Sequence, residues 1–181
     1  MSVLAAVGRR SSQPRVTATA PSHEELLPLV AAAAQVADHG ALRPWRLIEL
    51  RGDARLRLAA AFAEASGAEG AALTTFAGKA TRASLLIAVV ASLQPSPKVA
   101  AWEQEAVASG VGHTLSLLLD EAGWGVMWRS GPLTRSLPVH SLHGLANNEY
   151  LLGWLYVGGR ENGQKSGERQ SFDAERHLSI L

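Results

Sequence analysis

Apolar positions recur along the chain with two periods, and each period predicts a type of element. Ser22-His-Glu-Glu25 has capping-box spacing and opens a three- and four-residue apolar rhythm through Leu26, Leu29, Val30, Ala33 and Ala37, a helix that the pattern carries to Asp38-His39-Gly40. Arg43-Pro44 breaks that rhythm, because the residue before a proline is pushed out of the helical region, and Trp45 to Leu50 then alternates as a strand. Asp53 is placed to cap a helix through Leu56, Ala59, Ala60 and Ala63 that stops near Gly67, and a weaker helix covers Ala71 to Arg82 with Lys79 and Arg82 on its outer face. The continuous apolar run Leu85 to Leu93 reads as a buried strand, too short for the roughly 20 residues of a membrane span.

From Val99 to Leu118 the apolar positions keep helical spacing for more than five turns, the longest helix in the sequence. Its middle carries Ala106, Ala108, Ser109, Gly110 and Gly112, small residues that weaken a helix unless another backbone approaches closely. A buried contact within the chain and a helix at a subunit interface both answer that need. Gly123 to Trp128 reads as a turn into a short strand, Leu133 to Leu145 as irregular and short helical structure, and Tyr150 to Val157 as a central strand. Long helices among a few separated strands, without strict βαβ alternation, predict an α+β fold in a single domain over 1–181, with an irregular polar tail from about 158.

Composition narrows the function. A chain of 181 residues that is 47% hydrophobic and 18% charged can build a real core, and a formal net charge of +1 gives no broad electrostatic footprint for nucleic acid or an anionic membrane. The absence of cysteine excludes disulfides, a thiolate nucleophile and cysteine-ligated metal clusters. With the arginines following rather than preceding the N-terminal apolar run, no export signal is expected, and a cytoplasmic location fits. His140-x-x-His143 lacks a third nearby ligand, and no nucleophile elbow, phosphate loop or G-x-G-x-x-G fingerprint is present.

Three groups of residues remain as candidates. Arg9-Arg10-Ser11 can bind a phosphate or an electron-rich heterocycle edge through charge-assisted hydrogen bonds, and can equally be a solvated basic turn. His39, beside Asp38 at a helix end, is a ligand contact or a C-terminal cap. Trp128-Arg129-Ser130 closes an apolar strand with a ring, a cation and a small residue, either as a ligand loop or as a strand end with a buried tryptophan.

The order of four strings resembles the FMN-dependent nitroreductase superfamily, particularly its short bacterial members. They are Arg9-Arg10-Ser11, Asp38-His39 with Pro44-Trp45, Trp102-Glu-Gln-Glu105 and Gly125-Val-Met-Trp-Arg-Ser-Gly131. The resemblance implies a mostly antiparallel sheet flanked by helices and a homodimer with FMN between the subunits. It also implies NAD(P)H as reductant and a small-molecule electron acceptor. It assigns cofactor contacts to Arg9, Arg10, Ser11, Gln35, His39, Trp128, Arg129 and Ser130, and no catalytic side chain. Gln13 stands where relatives often carry a base, and Gln35 takes another often basic position. The competing reading is a flavin-binding protein of the same fold that does not turn over.

Overall fold

The computed structural model describes residues 2–161 and 171–181. In chain order the elements are α1 (Val3–Arg9), α2 (His23–Ala33), β1 (Trp45–Leu50), α3 (Asp53–Ser66), α4 (Ala71–Ala80), β2 (Leu85–Ser92), α5 (Ala101–Glu121), β3 (Trp124–Arg129), α6 (Leu137–Leu142) and β4 (Glu149–Gly159), with short 3-10 turns between and after them. The four strands form one sheet in the order β1-β2-β4-β3, with every pairing antiparallel. This is the α+β architecture expected from the sequence.

Residues Leu85 to Ala91 of β2 are all buried, which explains an unbroken apolar run where a half-exposed strand would alternate. Leu85, Ile87 and Val89 face α2 and α5 with Leu155 and Val157 of β4, while Leu86, Ala88 and Val90 face α3 and α6 with Tyr156. Helices therefore cover both sides of the sheet. Each fully buried leucine or valine contributes about 1.5–3 kcal/mol relative to exposure.

Helix α2 begins as predicted: the Ser22 hydroxyl accepts from the Glu25 amide, and the Glu25 carboxylate accepts from the Ser22 amide at 2.7 Å. It stops at Ala33, earlier than its apolar rhythm predicts, because the chain turns so that Val36 packs across α5 at Gly110. A 3-10 turn at His39–Ala41 follows, and both Ala41 and Arg43 take positive φ, a rare backbone state that Asp38 supports by accepting from the Arg43 amide at 2.7 Å.

Helix α5 starts at Ala101. The amide of its N-cap residue, Ala100, donates to the Glu103 carboxylate at 3.2 Å. Gln104 is fully buried and takes a structural role the sequence did not disclose: it accepts from the Gln94 amide and donates to the carbonyls of Gln94 and Val99, tying the β2–α5 connection to the helix.

Strand β4 runs to Gly159, two residues beyond the predicted end, pairing Gly158 with Gly125 and Gly159 with Trp124. The segment after α1 lies against this end of the sheet, donating from the Gln13 amide to Val126 at 2.9 Å and from the Thr17 amide to Gly159 at 2.8 Å. A Cβ on Gly158 would fall 2.7 Å from the Thr17 carbonyl oxygen, so the glycines are what let the segment approach. No helix among the described residues is long and apolar enough to cross a membrane.

Candidate functional site

The end of β3 is where sheet, helices and candidate chemistry meet. Strand alternation sends Trp128 toward α5 and Arg129 to the opposite face, over the ring of Tyr156 at 5.3 Å. Trp128 stacks on His113 of α5 with ring centroids 4.7 Å apart. Two glycines make this possible: a Cβ on Gly112 would lie 2.4 Å from the Trp128 ring, and one on Gly153 would lie 2.5 Å from its Nε1. Gly112 thus answers the small-residue question at its own position with a contact inside the chain.

Beyond Trp128 the chain passes through Ser130 and Gly131, whose φ of +140° favours glycine, and forms one lip of a cavity of about 700 Å³. The cavity lies between α3, α4 and the ends of β3 and β4, with walls of Phe62, Phe76, Trp154 and Tyr156. Phe62 meets Trp154 edge-on at 5.4 Å. Trp154 is fixed by His143, whose Nδ1–H donates to the Val139 carbonyl at 2.7 Å and whose Nε2 accepts from the Trp154 indole at 3.0 Å. Burial lowers the His143 pKa, and both ring nitrogens are already engaged.

Three cations, Lys79, Arg82 and Arg129, also line the cavity, and no carboxylate among the described residues does. Lys79 and Arg82 are exposed at its open side, where the sequence pattern placed them merely on the outer face of α4. Arg129 is half-buried, and its Nε is buried with no hydrogen-bond partner among the described residues. Burial first, and the neighbouring Arg82 guanidinium second, lower the Arg129 pKa. Nothing in the sequence signalled this for Lys79 and Arg82, at and just past the end of α4, because only the fold brings α4 beside the end of β3.

The remaining candidates lie elsewhere. Arg9 pairs with Glu121 and lies 3.7 Å from Asp120 at the C-terminal end of α5, where Arg160 also reaches Asp120 at 2.8 Å. Arg10 lines a shallow hollow with Val7, His113, Thr114 and Leu117. Ser11 accepts from the Gln13 side chain at 2.9 Å, so Gln13 holds the serine. Gln35 donates to the Ala31 carbonyl at 3.5 Å and is exposed. His39 meets Glu103 at 2.9 Å and lines a third hollow with Val36, Trp102, Ala106 and Gly110. That histidine lowers the Glu103 pKa, giving Glu103 two tasks, at the helix start and at His39. Within one chain the three groups do not share a pocket: Trp128, Arg129 and Ser130 line the cavity, while Arg10 and His39 line separate hollows along α5.

Residues 6–159 match the Nitroreductase family. The chain belongs to that family. At 32% identity over 155 residues, covering 84% of each protein, it is similar to the Escherichia coli (strain K12) protein named "Putative NAD(P)H nitroreductase YdjA". It is 28% identical over 175 residues to a Haemophilus influenzae protein likewise named as an NAD(P)H nitroreductase, covering 94% of this chain and 93% of the other. Among solved structures, a nitroreductase-like family protein from Bacillus cereus superimposes with a TM-score of 0.84 at 20% identity, covering 100% of this chain and 96% of that one. An FMN- and NADPH-dependent nitroreductase, NfnB mutant Y88A from a Sphigopyxis strain, gives 0.79 at 15% identity over 99% of both chains. At those identities the superpositions establish a shared fold, and the nitroreductase family's α+β fold is the one this chain adopts.

Proposed function

We propose that this nitroreductase-family protein is an FMN-dependent oxidoreductase that passes electrons from NAD(P)H to nitroaromatic, quinone or similar acceptors. The observation that carries the reading is the aromatic cavity beside Trp128, Arg129 and Ser130, with three cations and, among the described residues, no acid on its lining. Its residues fit FMN. Flat apolar walls beside the lip formed by Trp128 to Gly131 suit the tricyclic ring. When bound, FMN supplies the redox chemistry, accepting a hydride equivalent from NAD(P)H and returning the electrons to the acceptor. The chain's own part is to hold the ring against Trp128 to Ser130 and set a positive field around it from Lys79, Arg82 and Arg129. Such a field raises the ring's affinity for electrons, a task that Gln13 cannot perform as a neutral side chain bonded to Ser11. Arg9, Arg10 and Ser11 are assigned to the phosphate.

A second copy of the chain completes the site in this reading. Trp102, Glu103, Ala106, Gly110, His113, Thr114 and Leu117 follow one face of α5 and line the two shallow hollows. Trp102 is 72% exposed at one end of this face, and Val3 and Leu4 of α1 are 76% and 83% exposed. A two-fold axis across α5 sets the Arg10 hollow of one copy against the His39 hollow of the other, which brings His39 and Gln35 to a cofactor held by the partner.

The test is a visible spectrum of the purified protein, before and after NADH, with the chromophore identified after denaturation. A yellow protein that releases FMN and bleaches with NADH is expected. A stable yellow colour supports a flavin carrier instead, and FAD or no flavin after reconstitution rejects the assignment. If reductant and acceptor react at one face in turn, double-reciprocal plots at several acceptor concentrations are parallel; intersecting lines require a second site.

A further inference from the structure

The cavity holds more positive charge than the cofactor proposed above can use. Lys79, Arg82 and Arg129 line it, and none makes an ion pair among the described residues. Lys79 rests 4.6 Å from the Phe76 ring and Arg129 5.3 Å from the Tyr156 ring, contacts that support a cation without neutralising it. The ring of FMN carries at most one negative charge, and its phosphate is assigned to Arg9, Arg10 and Ser11, so two cations remain without an anion. Lys79 and Arg82 are exposed, but Arg129 is half-buried with its Nε unpartnered among the described residues, and a buried donor of this kind is arranged for an acceptor.

The shape indicates what that ligand is. The walls are aromatic, with Phe62 and Trp154 held edge to face and Trp154 locked by His143, so the body of the ligand is flat and apolar. A guanidinium with an unused Nε–H, beside a second guanidinium, matches the paired oxygens of a carboxylate. Resting on the flavoprotein reading, we infer that the acceptor is an aromatic carboxylate, oriented by Arg129 with Arg82 so that its reducible group faces the cofactor. For a nitroarenecarboxylate, NAD(P)H supplies the hydride and solvent the proton. One N–O bond of the nitro group is cleaved, giving the nitroso compound, water and NAD(P)+.

The experiment compares 4-nitrobenzoate with 4-nitrobenzamide, which keeps the ring and nitro group and removes the charge. Steady-state kcat/KM on the FMN-loaded protein is expected to favour the carboxylate by tenfold or more, and that ratio is expected to collapse toward one in Arg129→Gln and fall in Arg82→Gln. Cofactor content cancels in the ratio, since both acceptors meet the same flavin. Calorimetric binding of the two compounds to the same preparations gives the second readout. Turnover without charge preference overturns the inference and leaves the oxidoreductase reading standing. No turnover, with 4-nitrobenzoate bound at least tenfold tighter than the amide and lost in Arg129→Gln, rejects that reading and keeps the anion site. An unchanged ratio in both variants shows that the cations serve the cofactor alone and overturns the assignment.

Discussion

Arg46 and Glu149 show how a single pair sets acid stability. The guanidinium donates from Nε and Nη2 to the two carboxylate oxygens at 2.7 and 2.8 Å, and the Ala146 amide adds a third bond at 2.9 Å. Glu149 is 8% exposed, and these partners, Arg46 first, hold its pKa at about 2. Because the folded value lies below the unfolded one, this stabilisation is complete above about pH 4.5 and is lost as pH falls toward 2, an effect of about 2–3 kcal/mol after allowing for the solvent access of Arg46. His143 acts in the same direction at higher pH: its pKa is lowered by burial, so the unfolded chain takes up the proton first and stability declines as pH drops below about 6.5. Urea midpoints from pH 8 to 3 should fall in two stages, with Glu149→Gln removing the lower one and His143→Gln the upper one. At the candidate site, Arg9 is shared with Glu121. Arg9→Ala is expected to weaken FMN by about 1.5–3 kcal/mol and Glu121→Gln to tighten it by releasing the guanidinium, while Arg15→Ala does little, as read by flavin fluorescence titration. Equal affinities in Arg9→Ala and wild type would move the phosphate elsewhere; Lys165 and Arg169, the next basic candidates, lie outside the described residues. The candidate strings were legible because arginine, serine and tryptophan are chemically distinctive at fixed spacing. Lys79, Arg82 and Arg160 were not, since each is a lone cation on a surface until tertiary packing gives it neighbours.

At the scale of elements, periodicity located every helix and strand that buries an apolar stripe, and failed where polar or backbone contacts decide. Helix α2 was drawn too long because alanines continue its rhythm past Ala33, while the chain turns to seat Val36 on α5. Strand β4 was drawn too short because Gly158 and Gly159 carry no side-chain pattern, yet their backbone pairs with β3 and with the segment after α1. The small residues of α5 were ambiguous for a similar reason, and the structure separates them. Gly112→Ala places a methyl group 2.4 Å from the Trp128 ring and 3.2 Å from Val89, so it is expected to cost about 1–3 kcal/mol in denaturant unfolding and to disturb the cavity through Trp128. Gly110 is different: a Cβ there meets only Val36, at an ordinary 3.8 Å. Gly110→Ala should therefore fold normally, and Gly110→Leu should fold while filling the hollow beside His39. If Gly110→Leu unfolds like Gly112→Ala, the exposed face of α5 has an internal role that these contacts do not show.

For the molecule as a whole, the relation that matters is between three groups of candidate site residues that one chain holds apart. Arg9 and Arg10 sit toward the C-terminal half of α5, His39 at its N-terminal end, and Trp128 to Ser130 at the cavity. A site built within one chain draws Arg9, Arg10, His39 and the cavity from the same copy; a site shared by two copies takes His39 from the partner. Complementation distinguishes these arrangements. Suppose Arg9→Ala and His39→Ala each abolish FMN retention as homodimers. Mixed in equal amounts after dissociation, half of the dimers pair one variant with the other, and in each of those one site combines an intact Arg9 with an intact partner His39. About one quarter of all sites is then whole, so FMN content and NADH-driven bleaching should return to about a quarter of wild type. If all contacts lie in one chain, every site in the mixture carries a lesion and nothing returns. Gly110→Leu added to both variants supplies the control, because blocking the α5 face should keep the copies apart in sedimentation and abolish the recovery. Recovery that survives this substitution would place the shared surface somewhere other than α5.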